Sequence, residues 1–125
     1  MSYSYKPVLL KAFFTHADKD GRAAISDLTA YFRAFYEDRR ERDEVVENSR
    51  SLFCRESYTD KEIERLILSN PFKRFEDMDM MHHSRTLGLV EMDKLVWKRQ
   101  TAAEKEEILQ TCDEALARYY DRFKR

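Results

Sequence analysis

The segment Asp77–Gly88, DMDMMHHSRTLG, concentrates side chains that often bind metal ions: carboxylates, methionines and two adjacent histidines. Neighbouring residues of a β-strand point to opposite faces, so His82 and His83 cannot both face one ion without a bulge. Met80 shares a face with His82, and Met81 shares the other with His83. We therefore expect a hairpin with one face on the core and one in water, and no metal site. A pH-sensitive or phosphate-contacting histidine is the alternative.

The segment His16–Asp27, HADKDGRAAISD, resembles the calcium-binding loop of an EF-hand. Acidic residues or glycine stand at its third, fifth, sixth and twelfth places: Asp18, Asp20, Gly21 and Asp27. His16 occupies the first ligand position, where an oxygen donor is needed, and the twelfth residue is Asp rather than the longer bidentate Glu. We therefore interpret the segment as a turn that aspartate side chains stabilise by hydrogen bonds to the backbone.

The sequence contains no motif that usually marks an enzyme active site. It has no P-loop, no G-x-S-x-G and no H-E-x-x-H, and no nucleophile has an evident base. Cys54 and Cys112 lack C-x-x-C or zinc-finger spacing, which favours two reduced thiols and a cytoplasmic setting. We expect a protein without catalytic residues, cofactor or bound metal.

The segment FKRF places two cations between aromatic residues, a combination that binds single-stranded nucleic acid by stacking and phosphate contact. In a helix, however, Phe72 and Phe75 lie on one face, because residues three apart are neighbours on the helix surface. We expect this face to pack on the core and Lys73 and Arg74 to point outward.

The composition indicates one packed, helix-rich domain over residues 1–125. Hydrophobic residues make up 42% of the chain and aromatic residues 13%, with only two Gly and two Pro. Charged residues reach 38%, but the formal net charge is −1, whereas duplex-binding proteins usually carry an excess of Lys and Arg. The N-terminal apolar run is too short to cross a membrane and is predicted to form the first core helix. No membrane partner is expected.

Apolar periodicity predicts helices over about residues 7–16, 26–40, 60–69, 71–77 and 102–123. A short strand is predicted near residues 22–25, a β-hairpin over about 78–92, and a short helix capped by Asp93. Capping boxes begin at Thr59 and Thr101, and Ser26 and Asn70 are candidate N-caps. The charged stretch 37–58 is interpreted as a helix end and a long solvated loop. The fold class is therefore mainly α with a small β-hairpin (α+β) and a long C-terminal helix.

The order of helix, short strand, two further helices and hairpin resembles that of winged helix-turn-helix domains. In that family the third helix enters the major groove and the hairpin contacts the DNA backbone or minor groove. The resemblance implies a nucleic-acid or partner-binding surface formed by helix cations and hairpin residues: Lys61, Arg65, Lys73, Arg74, His82, His83 and Arg85. The connector before the third helix is longer than in DNA-reading members, and neighbouring carboxylates dilute the positive charge. That pattern also suits a protein-docking module.

The phrases YKPVLLKAFF, LTAYFRAFYEDRR, LSNPFKRFEDM, KLVWKR and EALARYYDRF resemble a domain of bacterial DNA-defence and restriction-type proteins. That domain often stands beside helicase or nuclease modules, and the resemblance covers nearly the whole chain. It implies an accessory module that docks on nucleic acid or on a larger helicase or nuclease, with no active site of its own.

The sequence leaves three functions open. The first is a non-enzymatic docking domain of a bacterial or phage nucleic-acid-processing system, with modest DNA or RNA contact. The second is a protein-binding module, such as a small phage-encoded, anti-CRISPR-like inhibitor whose acidic residues mimic or displace nucleic acid. The third is a dimeric winged-helix transcription regulator, in which the C-terminal helix forms the homodimer interface.

Overall fold

The computed structural model describes residues 2–124. Its α-helices are α1 (Tyr5–His16), α2 (Ile25–Glu41), α3 (Asp60–Ser69), α4 (Pro71–Asp77), α5 (Lys94–Arg99) and α6 (Ala102–Asp121). Its strands are β1 (Arg22–Ala24), β2 (Met81–Ser84) and β3 (Leu89–Met92). The chain is therefore mainly α-helical with a small antiparallel sheet and a long C-terminal helix, as the sequence predicts.

Helix α1 lies at the centre of the packing and contacts α2, α4, α6 and β1. Its side chains Val8, Leu9, Ala12 and Phe13 have no exposed surface, because the surrounding elements cover almost the whole helix. The apolar N-terminal run thus forms a core helix, as predicted. None of the helices in the described part of the chain is long and apolar enough to cross a membrane.

The sheet has the order β1-β3-β2, so the predicted hairpin is joined by the short strand that follows α1. One transverse row consists of Ala23, Val90 and His83, and it faces the core. The next row consists of Arg22, Glu91 and His82, and it lies on the outer face. The alternation predicted for the hairpin is therefore confirmed.

Three of the predicted helix caps are present with side-chain hydrogen bonds. Thr59 and Glu62 form a reciprocal capping box at the start of α3. The Asp93 carboxylate accepts hydrogen bonds from the backbone N–H groups of Leu95 and Val96 at the start of α5. At α6 the Thr101 hydroxyl accepts from the backbone N–H of Glu104.

Of the other two cap predictions, that of Ser26 is wrong, and that of Asn70 is confirmed in position but without a side-chain hydrogen bond. Ser26 is not an N-cap, because α2 begins at Ile25 directly after β1, and the N–H of Ile25 donates to the Gly88 carbonyl of the hairpin turn at 2.9 Å. Asn70 stands before α4 without a side-chain cap bond, since it also ends α3 and donates its own N–H to the Leu66 carbonyl at 3.1 Å. Helix α1 also begins at Tyr5, slightly earlier than predicted.

The connector between α2 and α3 is long, as predicted, but part of it is buried rather than solvated. A 3-10 helix at Leu52–Cys54 inserts Phe53 into the core, where its ring stacks on Tyr36 with the centroids 4.1 Å apart. The Arg40 guanidinium donates to the carbonyl oxygens of Phe53 at 2.5 Å and Arg55 at 3.1 Å. These contacts hold the connector against α2.

Candidate nucleic-acid interface

Helix α3 presents Lys61 and Arg65 on its exposed side, one turn apart. Its inward face consists of Ile63 and Ile67, which are fully buried. Among residues 2–124 neither Lys61 nor Arg65 forms an ion pair that would occupy its charge. Both side chains are therefore exposed to solvent, with their charges unpaired in the described part of the chain.

Helix α4 is anchored by Phe72 and Phe75, which are buried as predicted, and this orients Lys73 and Arg74 toward solvent. Lys73 forms ion pairs with Asp77 at 2.9 Å and with Glu76 at 3.5 Å. The hydrogen bond to Asp77 raises the pKa of the Lys73 ammonium group. Lys73 is thus partly neutralised, whereas Arg74 has no ion pair within the described chain.

The two histidines of β2 lie on opposite faces of the sheet. His82 is exposed and pairs across the strands with Glu91, which also lies 3.6 Å from the Arg22 guanidinium. His83 is half-buried, with its ring 6.1 Å from the Phe72 ring. The pair therefore does not converge on one ligand, and His83 has mainly a packing position.

Arg85 lies in the turn of the hairpin and is exposed. The Ser84 hydroxyl accepts a hydrogen bond from the backbone N–H of Leu87 at 3.2 Å, and Gly88 has a φ of 63°, which an L-residue rarely adopts. Leu87 itself is 70% exposed. Because the Gly88 carbonyl is bonded to the start of α2, the turn holds Arg85 at a defined place.

The elements that carry these cations are neighbours in the fold, since α3 packs on α4 and α4 packs on β2. Four of them have no ion pair within residues 2–124: Lys61, Arg65, Arg74 and Arg85. No known protein family, curated protein sequence or solved structure matches the chain. The function of this chain is therefore inferred from the chemistry of its exposed side chains.

A groove between α2 and α3, of about 390 Å³, borders this surface and has mixed charge. Its Arg33 side chain donates to Asp60 at 2.7 Å and to Glu37 at 3.2 Å, and its guanidinium lies over the Tyr58 ring. Glu64 also lines the groove. Carboxylate groups therefore line the N-terminal end of α3, where the sequence also places acidic residues.

The EF-hand-like segment is a turn, as predicted. One oxygen of the Asp18 carboxylate accepts hydrogen bonds from the backbone N–H groups of Asp20 at 2.9 Å and Arg22 at 3.1 Å. Within residues 2–124 no group of three or more His, Cys, Asp or Glu side chains is arranged to hold a metal ion.

Both cysteines are free thiols. Cys54 is exposed and its Sγ lies 3.4 Å from the Asn48 carbonyl oxygen, whereas Cys112 is buried on α6. Removal from water raises the pKa of both thiols, so they are protonated at neutral pH. Protonated thiols are poor nucleophiles.

No sequence pattern predicts the buried polar cluster around Glu47 in the connector. The Glu47 carboxylate is 4% exposed and accepts hydrogen bonds from the backbone N–H groups of Ser4 at 2.8 Å and Asn48 at 2.7 Å. The hydroxyl groups of Ser4 and Tyr119 donate to it as well. Glu47 stands in a charge-dense stretch without periodicity, and its donors come from distant parts of the chain, so no local pattern marks it.

Helix α6 turns its apolar side toward α1. Cys112, Leu116, Tyr119 and Tyr120 are buried, and Lys11 of α1 forms an ion pair with Asp113 at 2.6 Å. The exposed side of the helix is strongly acidic, with carboxylates at Glu104, Glu106, Glu107 and Glu114. Much of the apolar side of α6 is thus covered within the domain, and the exposed remainder of the helix, which the sequence nominates as a homodimer or partner surface, is mainly polar.

Proposed function

We propose that this chain is a non-enzymatic accessory domain with a winged-helix-like core, which docks on nucleic acid within a bacterial or phage defence or restriction-type system. It acts in the cytoplasm beside a larger helicase or nuclease. The observation that supports this proposal is the set of exposed cations on α3, α4 and the hairpin turn that have no ion partner within residues 2–124: Lys61, Arg65, Arg74 and Arg85.

Cations of this kind bind phosphates by displacing condensed counterions, so the affinity falls as salt rises. A chain with a net charge of −1 gains no long-range attraction from its total charge. Binding then depends on the local surface and is modest. Lys73 contributes less than its neighbours, because Asp77 and Glu76 compete with phosphate for its ammonium group.

The proposal is tested by titrating a fluorescent DNA duplex with the protein at several salt concentrations between about 50 and 200 mM. Four phosphate contacts predict a slope of about −3 to −4 in a plot of log affinity against log salt. The double variant Arg65→Gln, Arg85→Gln should reduce the steepness of the slope by about 2. Arg118→Gln, an exposed cation on α6, is the matched control and should leave the slope unchanged. Absence of duplex binding at the lowest salt would exclude this form of docking.

The acidic side of α6 favours a second function, that of a protein-binding inhibitor or adaptor. Three of its carboxylates stand in the first two turns of a helix about 30 Å long and the fourth about two turns further on, so they could meet cations of a nucleic-acid-binding protein. This function predicts binding to a helicase or nuclease in the absence of nucleic acid. The variant Glu106→Lys, Glu107→Lys should abolish that binding, and retention of full affinity would exclude the acidic face as the contact.

A further inference from the structure

A concave pocket of about 380 Å³ lies between the N-terminal segment and the α3–α4 junction. Its lining residues are Ser2, Tyr3, Tyr5, Lys6, Asn70, Pro71 and Arg74. The pocket therefore combines aromatic rings, two cations and a side-chain amide. It joins Arg74 of α4 to residues that are nearly seventy positions away in the sequence, and no sequence pattern connects them.

The charge of this pocket differs from that of the rest of the surface. No carboxylate stands among its lining residues in the described part of the chain, although Asp and Glu outnumber Lys and Arg overall. Four other pockets of this structure each include at least one glutamate, and the groove between α2 and α3 includes three carboxylates. The pocket at the N-terminal segment is thus suited to an anion.

The aromatic wall of the pocket is held in place by packing. The Tyr3 ring lies flat against the Tyr5 ring, with centroids 4.9 Å apart and planes inclined by 2°. Tyr5 is buried, and its hydroxyl forms a hydrogen bond of 2.6 Å with the Ser51 hydroxyl. Tyr3 is half-buried and lines the pocket, so part of its ring surface is accessible to a planar ligand.

The two cations stand on different elements and are both exposed. The Lys6 ammonium group lies over the Phe75 ring, 5.5 Å from its centroid, which positions it without neutralising it. Arg74 projects from α4, and neither cation forms an ion pair within residues 2–124. An anionic group in the pocket would find two donors whose charge is not already used.

We propose that this pocket binds one nucleotide unit of single-stranded nucleic acid. The base stacks on Tyr3, and the phosphate contacts Lys6 and Arg74, because an aromatic ring beside paired cations is the arrangement that binds single strands. The Asn70 amide is available to hydrogen-bond the base edge or the sugar. This inference rests on the proposed nucleic-acid docking and adds a site for an unpaired strand next to the duplex-facing cations.

The test uses fluorescence anisotropy of a labelled single-stranded oligonucleotide with the full chain. Tyr3→Leu removes the stacking surface and should weaken binding by roughly 5- to 150-fold, whereas Tyr3→Phe keeps the ring and should bind like the original protein. Lys6→Gln and Arg74→Gln should each make the salt slope shallower by about 0.7. Arg118→Gln is the matched control, since this exposed cation of α6 does not line the pocket.

The outcomes separate this site from the duplex surface. Loss of single-strand binding in Tyr3→Leu and Arg74→Gln, with helical circular dichroism retained, supports the pocket. Unchanged single-strand binding in both variants would overturn it, even if Arg65→Gln, Arg85→Gln still weakened duplex binding. Conversely, single-strand binding that depends on Tyr3, together with no duplex binding at all, would uphold the pocket and remove the duplex contact from the proposed function.

Discussion

Glu47 is the residue whose environment is most unlike that of a surface carboxylate. It is buried without a cation among the partners described here, and hydrogen bonds from two backbone N–H groups and two hydroxyl groups compensate its lost hydration. The same hydrogen bonds satisfy the buried hydroxyl and backbone N–H groups that donate them, so the free-energy cost of burying these donors is also low. The carboxylate thus joins the N-terminal segment, the connector and α6 at one point.

Glu47→Gln should destabilise the protein although it keeps the side-chain shape. An amide offers one acceptor oxygen and turns its NH₂ group toward donors, so part of the cluster loses its partners at a cost of roughly 1–3 kcal/mol. Urea unfolding measures this change in the free energy of unfolding. Glu114→Gln on the exposed side of α6 is the control and should change it by less than about 0.5 kcal/mol. Equal stability of the two variants would show that Glu47 is not held as described.

Arg85→Ala should weaken nucleic-acid binding without changing stability. The side chain is exposed in the hairpin turn, and the turn is built by Ser84 and Gly88, so truncation removes a charge and no packing. Losing one phosphate contact reduces the salt slope by about 0.9. Binding and urea unfolding are measured on the same preparation. An unchanged affinity would leave the hairpin with a purely structural role.

At the scale of elements, short α5 is held mainly by one side chain. Trp97 packs edge-on against Phe13 and flat on Phe14, and its indole N–H donates to the Lys19 carbonyl at 2.9 Å. The ring also lies directly against Gly21, whose φ is 77°. The turn before β1 therefore has to be glycine for two reasons: its backbone conformation and the absence of space for a Cβ atom.

Gly21→Ala and Gly88→Ala separate these two reasons. Both glycines have positive φ, so each alanine costs about 1–2 kcal/mol of backbone strain. A Cβ at Gly21 would lie 2.7 Å from Trp97 Cδ2, whereas nothing lies within 4 Å of one at Gly88. We expect Gly21→Ala to be clearly the more destabilising variant in urea unfolding and to shift the fluorescence of Trp97, the single tryptophan. Similar losses in the two variants would mean that Trp97 does not constrain the turn.

The sequence correctly predicts those features that depend only on residues close together in the chain. The capping box at Thr59, the cap at Asp93 and the alternation of His82 and His83 are confirmed, because each depends on residues within a few positions. The prediction of Ser26 as an N-cap is wrong because the N–H of Ile25 donates to the distant hairpin turn. The burial of the connector is not predicted because its partners lie on other elements. The outward positions of Lys61, Arg65 and Arg74 follow from helical periodicity, but the pocket beside Arg74 needs Tyr3 and could not be predicted.

At the scale of the whole molecule, tyrosine hydroxyls concentrate where α1, α2, the connector and α6 meet. Tyr36 bonds to Ser4 at 2.7 Å, and Tyr120 donates to the Val46 carbonyl at 2.7 Å. Burial raises the pKa of Tyr36 well above its usual value and that of Tyr120 to about 12. Burial likewise raises the pKa of Tyr119. The packing of the whole domain therefore depends on these tyrosine hydroxyl groups keeping their protons.

The domain should therefore lose stability in alkali. An unfolded tyrosine ionises near pH 10, whereas folded Tyr120 keeps its proton until about pH 12, so the contribution is intact below about pH 10 and is lost as the pH rises through that interval. Each such tyrosine lowers the free energy of unfolding by about 1.4 kcal/mol per pH unit there. Urea unfolding between about pH 8 and pH 11.5, with tyrosinate absorbance followed in parallel, measures the decline.

Tyr120→Phe should make the alkaline decline shallower, because the side chain no longer ionises in the unfolded state. Tyr31→Phe, which removes a hydroxyl outside this group of contacts, is the matched control and should leave the decline as steep as before. A decline that is equally steep in Tyr120→Phe would show that Tyr120 ionisation does not contribute to it.

The closure of α6 over α1 has a consequence for biosynthesis. The Tyr119 hydroxyl donates to Glu47 and lies 3.1 Å from the Ser2 carbonyl oxygen, so the N-terminal segment and α6 complete the same cluster. During translation the N-terminal residues emerge first, and the side of α1 that packs on α6 stays uncovered until α6 has left the ribosome exit tunnel. A nascent chain that stops after α5 would thus expose the side of α1 that carries Lys11, which favours recognition by chaperones or proteases.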